Sequence, residues 1–293
     1  MAHQENRIAA GMRFAAAFVL MLALSACNTS KTLDVKRTAN PLPQRYAAIM
    51  VDSGTKQALY SDHADDLRFP ASLTKMMTLY LLFEALETGR VSSSTQMPVS
   101  SFAAGQAPSK LGLKAGQTLD VDTAISALAV KSANDAAVVV AEHLGGSESA
   151  FAAAMTSKAR ALGMNRTTFR NASGLPDSAQ VTTARDMAVL GMALRERFPQ
   201  HFTRFSARTF AYAGREVRGH NRALDMIDGA DGIKTGYTRA SGFNLVTSAN
   251  RGGKTVVGVV MGEDSAKVRD ARMLALFDKY APKRKAAAET PGF

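Results

Sequence analysis

Pro70-Ala71-Ser72-Leu73-Thr74-Lys75-Met76-Met77 opens a dense apolar pattern in which Tyr80, Leu81, Phe83 and Leu86 continue the same surface as far as Gly89. That periodicity predicts a largely buried helix starting at Ser72. Residues three apart on such a helix are neighbours, so Ser72 and Lys75 share one face. A serine hydroxyl is a weak nucleophile at neutral pH and needs an adjacent base, and Lys75 is placed to be that base. To accept a proton the lysine must be neutral, a state favoured by burial and by a second cation nearby. Ser53-Gly54-Thr55-Lys56 has the same spacing. It sits, however, between the short apolar runs Tyr46 to Val51 and Gln57 to Tyr60, where a hairpin turn is expected and no helix can pair the two side chains.

Outward from this helix, further helical patterns run Val121 to Val130, Asn134 to Leu144, Glu148 to Leu162 and Ala184 to Phe198. Strand patterns then return at Thr209 to Ala213, Glu216 to Arg218, Gly232 to Thr235, Phe243 to Ala249 and Thr255 to Met261, followed by an amphipathic helix from Ala266 to Tyr280. Strands at both ends and helices between them predict an α+β fold. An antiparallel sheet forms from the N- and C-terminal segments, and a helical lobe lies in the middle. The catalytic domain is expected over 45–281, with a flexible tail at 282–293.

Two more short motifs stand in order along this scaffold. Ser132-Ala133-Asn134 lies between two helical segments, as a loop reaching a cleft would, and Lys234-Thr235-Gly236 lies on a strand. Ser248-Ala249-Asn250 repeats the first of them but closes a strand beside Arg251-Gly252-Gly253, where turn-forming residues are expected anyway. Together with Ser72-x-x-Lys75, the set matches the signature of serine β-lactamases and penicillin-binding proteins. From about Arg45 to Tyr280 the chain resembles the D-alanyl-D-alanine carboxypeptidases, low-molecular-mass penicillin-binding serine peptidases. The likeness includes Lys131-Ser132-Ala133-Asn134-Asp135-Ala136, Asn171-Ala172-Ser173-Gly174-Leu175-Pro176, Thr183-Ala184-Arg185-Asp186-Met187 and Asp231-Gly232-Ile233-Lys234-Thr235-Gly236-Tyr237-Thr238.

The resemblance implies a serine β-lactamase/D,D-peptidase-like fold and an acyl-enzyme on Ser72 that releases the terminal D-alanine of a peptidoglycan pentapeptide. In that role Ser132 relays a proton toward the leaving amine, and Asn134 hydrogen-bonds the substrate amide. Lys234 and Thr235 bind the terminal carboxylate, and Gly236, lacking Cβ, lets the substrate lie along the strand. The backbone N–H groups of Ser72 and Tyr237 form the oxyanion hole. Arg218 and Arg222 read as a solvated strand surface. β-Lactam antibiotics are expected to acylate Ser72 and leave slowly. A class A β-lactamase needs a glutamate to activate water, and none occurs between Leu162 and Arg195; Glu148 comes too early in the sequence. A D,D-endopeptidase acting on cross-linked peptidoglycan uses the same residues and stays open as the alternative. An inactive wall-binding protein would lack a catalytic residue, and here all are present.

No cofactor or metal is expected. The five histidines show no paired ligand spacing, and no H-E-x-x-H or phosphate-binding glycine loop occurs. The net charge of +11 is scattered along the chain rather than gathered on one stripe, which argues against nucleic acid and suits an anionic wall polymer. At the N-terminus, Arg7 and Arg13 precede an apolar run from Phe14 to Ala26, shorter than the ~20 residues a spanning helix needs. Residues 1–26 therefore read as a signal peptide. Leu24-Ser25-Ala26-Cys27 resembles the lipobox of bacterial lipoproteins, so Cys27, the single cysteine, is expected to carry lipid, with 27–44 as a tether. An exported, periplasmic, membrane-anchored lipoprotein follows. The family's longer members add a C-terminal β domain and a membrane-seeking helix, and the lipid is expected to stand in for that anchor.

Overall fold

The computed structural model describes residues 45–251 and 253–282. The expected signal peptide, Cys27 with its expected lipid, the expected tether up to residue 44 and the tail from 283 onward lie outside the described residues. Strand β1 (Ala47–Asp52) is buried along its whole length. Ala47, Ile49 and Val51 enter one apolar core, and Ala48 and Met50 enter another. This is the period-two split of a strand covered on both faces. The Asp52 carboxylate accepts hydrogen bonds from the backbone N–H groups of Gly54 (2.9 Å) and Thr55 (3.0 Å), closing the turn into β2 (Ala58–Asp62). The Ser53–Lys56 stretch is thus a hairpin turn, and its exposed Lys56 pairs with Glu196.

The first long helix, α1 (Lys75–Glu87), is preceded by a 3-10 turn, Ala71–Thr74, that carries Ser72. The sequence placed Ser72 inside the α-helix itself; the α-helical hydrogen bonding begins three residues later. The consequence for the Ser72–Lys75 pair is small, because side chains three apart eclipse in a 3-10 turn. A two-stranded sheet, β3 (Gln96–Pro98) with β4 (Thr118–Asp120), follows and was not foreseen; each strand is only three residues long. The helical lobe continues with Val121–Ser126, a π-helical turn Ala127–Lys131, α2 (Asn134–Gly145), α3 (Glu148–Ala161) and α4 (Ala184–Arg197).

The hairpin β5 (Thr209–Tyr212) and β6 (Arg215–Arg218) leads to the long strands β7 (Ala230–Thr238), β8 (Gly242–Arg251) and β9 (Lys254–Glu263), then α5 (Ala266–Tyr280). Helices α3, α4 and α5 start where Ser147, Thr183 and Ser265 accept hydrogen bonds from the N–H groups of Ala150, Asp186 and Val268. Each such cap stabilises its helix by about 1 kcal/mol. The main sheet is antiparallel with order β2-β1-β9-β8-β7, so the first strands do return to pair with the last. Met273 and Phe277 of α5 cover one face together with Met50 and Val260, while Met187 and Leu190 of α4 join the core on the other. This leaves β2 and β7 as the two edge strands of the main sheet, and the turn bearing Ser72 packs against β7.

Candidate active site

The turn that holds Ser72 is fixed from three sides. Asn244 on β8 is fully buried; its amide donates to the carbonyls of Phe69 (3.0 Å) and Pro70 (3.1 Å), and its side-chain oxygen accepts from Gly262 N–H (2.9 Å). Gly236 on β7 runs so close that a Cβ there would lie 3.1 Å from both Pro70 O and Ser72 N. From the third side comes the segment Asn171–Gly174. A Cβ on Gly174, whose φ is +85°, would fall 1.9 Å from Ala71 O, so only glycine fits. Ala71 itself takes a φ of +48°, a conformation that costs a non-glycine residue about 1–3 kcal/mol and persists where the surroundings dictate it.

Lys75 Nζ lies 3.1 Å from Ser72 Oγ and donates to Asn134 Oδ1 (2.7 Å) and to the carbonyl oxygen of Ser173. The lysine is completely buried. Burial, and then the charge of Lys234, push its pKa well below the ordinary lysine value, while Asp135 and Glu148 act in the opposite sense. The hydrogen bonding supplies an orientation. A neutral amine has two N–H donors and one lone pair, and the two carbonyl oxygens can only accept. Once those are satisfied, the lone pair faces Ser72 Oγ, the arrangement a general base requires.

Ser132 caps the π-helical turn in the left-handed conformation, with φ 62° and ψ 38°. Its Oγ is buried and has no hydrogen-bond partner among the described residues. A strained backbone and a spare hydroxyl at one residue mark a group held for a ligand rather than for packing. Asn134 is less free than its motif suggested. Its oxygen holds Lys75 and its amide donates to Ala107 O (2.8 Å), which leaves one amide hydrogen for a substrate.

The cleft is a cavity of about 580 Å³ lined by Ser72, Ser132, Asn134, Thr235, Gly236 and Tyr237, among others. The six residues come from the Ser72 turn, the helical lobe and β7. Lys234, also buried, donates to Thr235 O (3.0 Å); burial and the nearby Arg269 lower its pKa to about 7. Tyr237, 55% exposed, stacks on Phe243 with ring centroids 4.2 Å apart and walls the mouth of the cavity.

Four residues that the motifs did not flag support the site. Asn244 clamps the Ser72 turn, and an amide inside the apolar run of β8 was a signal for it. Asp135 accepts four backbone N–H bonds, from Leu111, Gly112, Leu113 and Ala136. Arg269 is buried beside the cleft, bonded to Asp270 and to Asn244 O. Glu148, set aside on sequence distance alone, accepts from Ala172 N–H (3.0 Å) and so anchors the wall next to Lys75; desolvation raises its pKa. Nothing in linear spacing reveals that contact, because the 171–174 segment folds back over the start of α3.

Comparison with known proteins fits this geometry. A family model described as D-alanyl-D-alanine carboxypeptidase, peptidase S11, matches residues 34–265. D-alanyl-D-alanine carboxypeptidase DacF of Bacillus subtilis (strain 168) is 31% identical over 265 residues, covering 88% of this chain and 68% of its own length. The chain spans about two thirds of the length of the curated relatives it matches. Among solved structures, the D-alanyl-D-alanine carboxypeptidase DacD from Francisella tularensis superposes with a TM-score of 0.75 at 31% identity, covering 78% of this chain and 68% of that one. Penicillin-binding protein D2 from Listeria monocytogenes, in its ampicillin-bound form, gives a TM-score of 0.68 at 32% identity over 78% of this chain and 94% of that one. With the three motifs converging on one cleft in this fold, the chain belongs to the D-alanyl-D-alanine carboxypeptidase family of D,D-peptidase serine hydrolases.

Proposed function

We propose that this hydrolase removes the terminal D-alanine from peptidoglycan pentapeptides through an acyl-enzyme on Ser72, and that penicillins acylate the same atom. The observation that carries the residue roles is the Lys75 amine, fully buried, 3.1 Å from Ser72 Oγ and held by two acceptor-only oxygens. Ser72 Oγ attacks the carbonyl of the penultimate residue while its proton passes to Lys75. The backbone N–H groups of Ser72 and Tyr237 receive the developing oxyanion. The peptide C–N bond breaks as the leaving amine of D-alanine takes a proton by way of Ser132. Water then hydrolyses the ester and frees Ser72. Lys234 as ammonium and Thr235 as hydroxyl hold the terminal carboxylate, which selects substrates ending in a free acid.

This division of labour predicts a bell-shaped pH profile. Acylation rises with pH as Lys75 loses its proton, at a pH well under the ordinary lysine range. Carboxylate binding weakens as Lys234 loses its own proton near pH 7 in the free protein. So kcat/KM should turn downward close to pH 7, while kcat should hold to higher pH, because a bound carboxylate favours the ammonium form. Measuring both between about pH 5 and 10 decides the point. A kcat/KM that keeps climbing through the alkaline range excludes Lys234 as the carboxylate cation.

We also read Met1–Cys27 as an export signal ending at a lipid-carrying cysteine, so the enzyme works in the periplasm while held to a membrane. The apolar run ending Leu24-Ser25-Ala26-Cys27 supports this. One experiment addresses both readings: intact and peptide mass spectrometry of the protein isolated from membranes and exposed to penicillin. A penicillin adduct on the peptide containing Ser72 and acyl chains on Cys27 at a new N-terminus are expected. An adduct elsewhere defeats the nucleophile assignment, and an unmodified Cys27 defeats the anchor.

A further inference from the structure

Two consecutive carbonyls in the wall of the cleft meet one face of α1. Thr78 Oγ1 donates to Ala172 O (2.7 Å), and Lys75, one turn earlier on the same helix, donates to Ser173 O. Both side chains are fully buried. The opposite side of this short segment is held by α3, where the Glu148 carboxylate accepts from Ala172 N–H (3.0 Å). Gly174 abuts Ala71 O, so the segment is bracketed between the Ser72 turn and α3. The oxygen that aims the Lys75 amine is therefore held only as firmly as the residue before it, and Glu148 is the group that takes that residue's N–H.

A neutral side-chain oxygen would accept the same N–H. A half-buried carboxylate there is less comfortable: desolvation pushes its pKa up, the Ala172 N–H and the charge of Lys75 pull it down, and the carboxylate of Glu142 on α2 adds to the rise. The first turn of α3, just after the Ser147 cap, favours the anion. An acid standing where a neutral acceptor suffices points to a use for its charge.

That charge acts on Lys75. Burial and Lys234 on β7 drive the amine toward its neutral form, while Asp135 on α2 and Glu148 on α3 favour the ammonium. Asp135 is engaged by four backbone N–H groups, which draw on its negative charge. Glu148 accepts one. A general base works best when its pKa lies near the working pH, and an amine made too weak by its surroundings is a poor proton acceptor even when it is neutral.

We propose that Glu148 is a positioning residue for the general base: through Ala172 N–H it fixes Ser173 O against the Lys75 amine, and through its negative charge it keeps that amine basic in a buried place beside Lys234. It acts from behind the wall of the cleft, on Lys75 rather than on the substrate. This rests on the proposed function, in which Lys75 is the base.

The test follows penicillin acylation of the full chain by stopped flow between about pH 5 and 9, for the natural protein and three variants, with thermal unfolding measured alongside. Glu148→Gln keeps an acceptor for Ala172 N–H and removes the charge. Loss of a nearby anion favours the neutral amine, so the acid limb should move to lower pH, while the plateau falls about twofold because the amine is a weaker base. Glu148→Asp keeps the charge with a shorter reach; the limb should stay in place and the plateau should fall. Glu148→Ala loses both, so the limb should move as in Glu148→Gln and the plateau should drop about tenfold as Ser173 O drifts. A packing defect alone lowers the unfolding temperature and leaves the limb where it was. An unmoved limb in Glu148→Gln overturns the proposal, as does a Glu148→Ala variant no slower than Glu148→Gln. A natural protein whose acylation shows no acid limb overturns the assignment of Lys75 as base, and this inference with it.

Discussion

Lys75→Ala is expected to slow acylation of Ser72 by penicillin about 10³-fold, within the range that a positioned general base contributes. The reason lies in how the amine is held. The carbonyl oxygens of Asn134 and Ser173 engage two N–H groups of the neutral amine and turn its lone pair toward Ser72 Oγ, and burial beside Lys234 favours that neutral form. Alanine also leaves two buried acceptors without a donor, so some loss of stability accompanies the loss of rate. Lys75→Arg separates the two effects. Guanidinium can still donate to both oxygens but does not lose its proton in proteins, so it restores packing contacts without restoring a base. Stopped-flow penicillin labelling of both variants, with thermal unfolding measured alongside, gives the answer. If either variant acylates at the normal rate, Lys75 is not the base. Residual activity in Lys75→Ala should also lose the acid limb of the pH profile, a change that a packing defect would not produce.

The parts of the molecule legible in the sequence were those set by local periodicity and turn chemistry. The hairpin at Ser53–Lys56, the helix boundaries at Ser147, Thr183 and Ser265, and the return of the last strands to pair with the first all follow from alternation, caps and glycine-rich turns. The candidate catalytic side chains stood out for a different reason. Each is a residue type with chemistry of its own, placed next to a structural signal: Ser72 at a helix entry, Ser132 between helices, Lys234 on a strand. What stayed hidden depends on contacts between distant segments. Glu148 reaches the site only because residues 171–174 fold over the start of α3, and Asn244 acts on the carbonyls of Phe69 and Pro70. The three-residue strands β3 and β4 are too short to show alternation.

Asp135→Ala is expected to destabilise the protein by about 4 kcal/mol, near the upper end for a single substitution. The carboxylate is fully buried, yet among the described residues it has no cationic partner in direct contact; four backbone N–H groups satisfy it instead, at 2.8 to 3.1 Å. Three of them belong to Leu111, Gly112 and Leu113, so one side chain ties the 111–113 segment to the start of α2. Alanine would leave all four donors short of a partner at once, and each such buried group costs about 1–3 kcal/mol before relaxation and water entry reduce the sum. Asp135→Asn is the sharper comparison. It keeps the shape, but its NH₂ group must face two of the same donors, so about 2 kcal/mol should be lost with almost no change in volume. The damage should extend to catalysis. Ala107 O, which holds the Asn134 amide, and Ser109 O, which accepts from Asn134 N–H at 2.7 Å, lie just before the tethered segment. When it loosens, Asn134 loses its orientation and Lys75 loses one of the two oxygens that aim its lone pair. Penicillin acylation by the folded fraction of Asp135→Asn should therefore fall as well, with equilibrium denaturation supplying the stability change and labelling of the folded protein supplying the rate. A variant that unfolds at the natural midpoint would show that water replaces the carboxylate at little cost. A variant that is less stable but acylates normally would confine Asp135 to the fold and remove it from the chain of contacts that ends at Ser72.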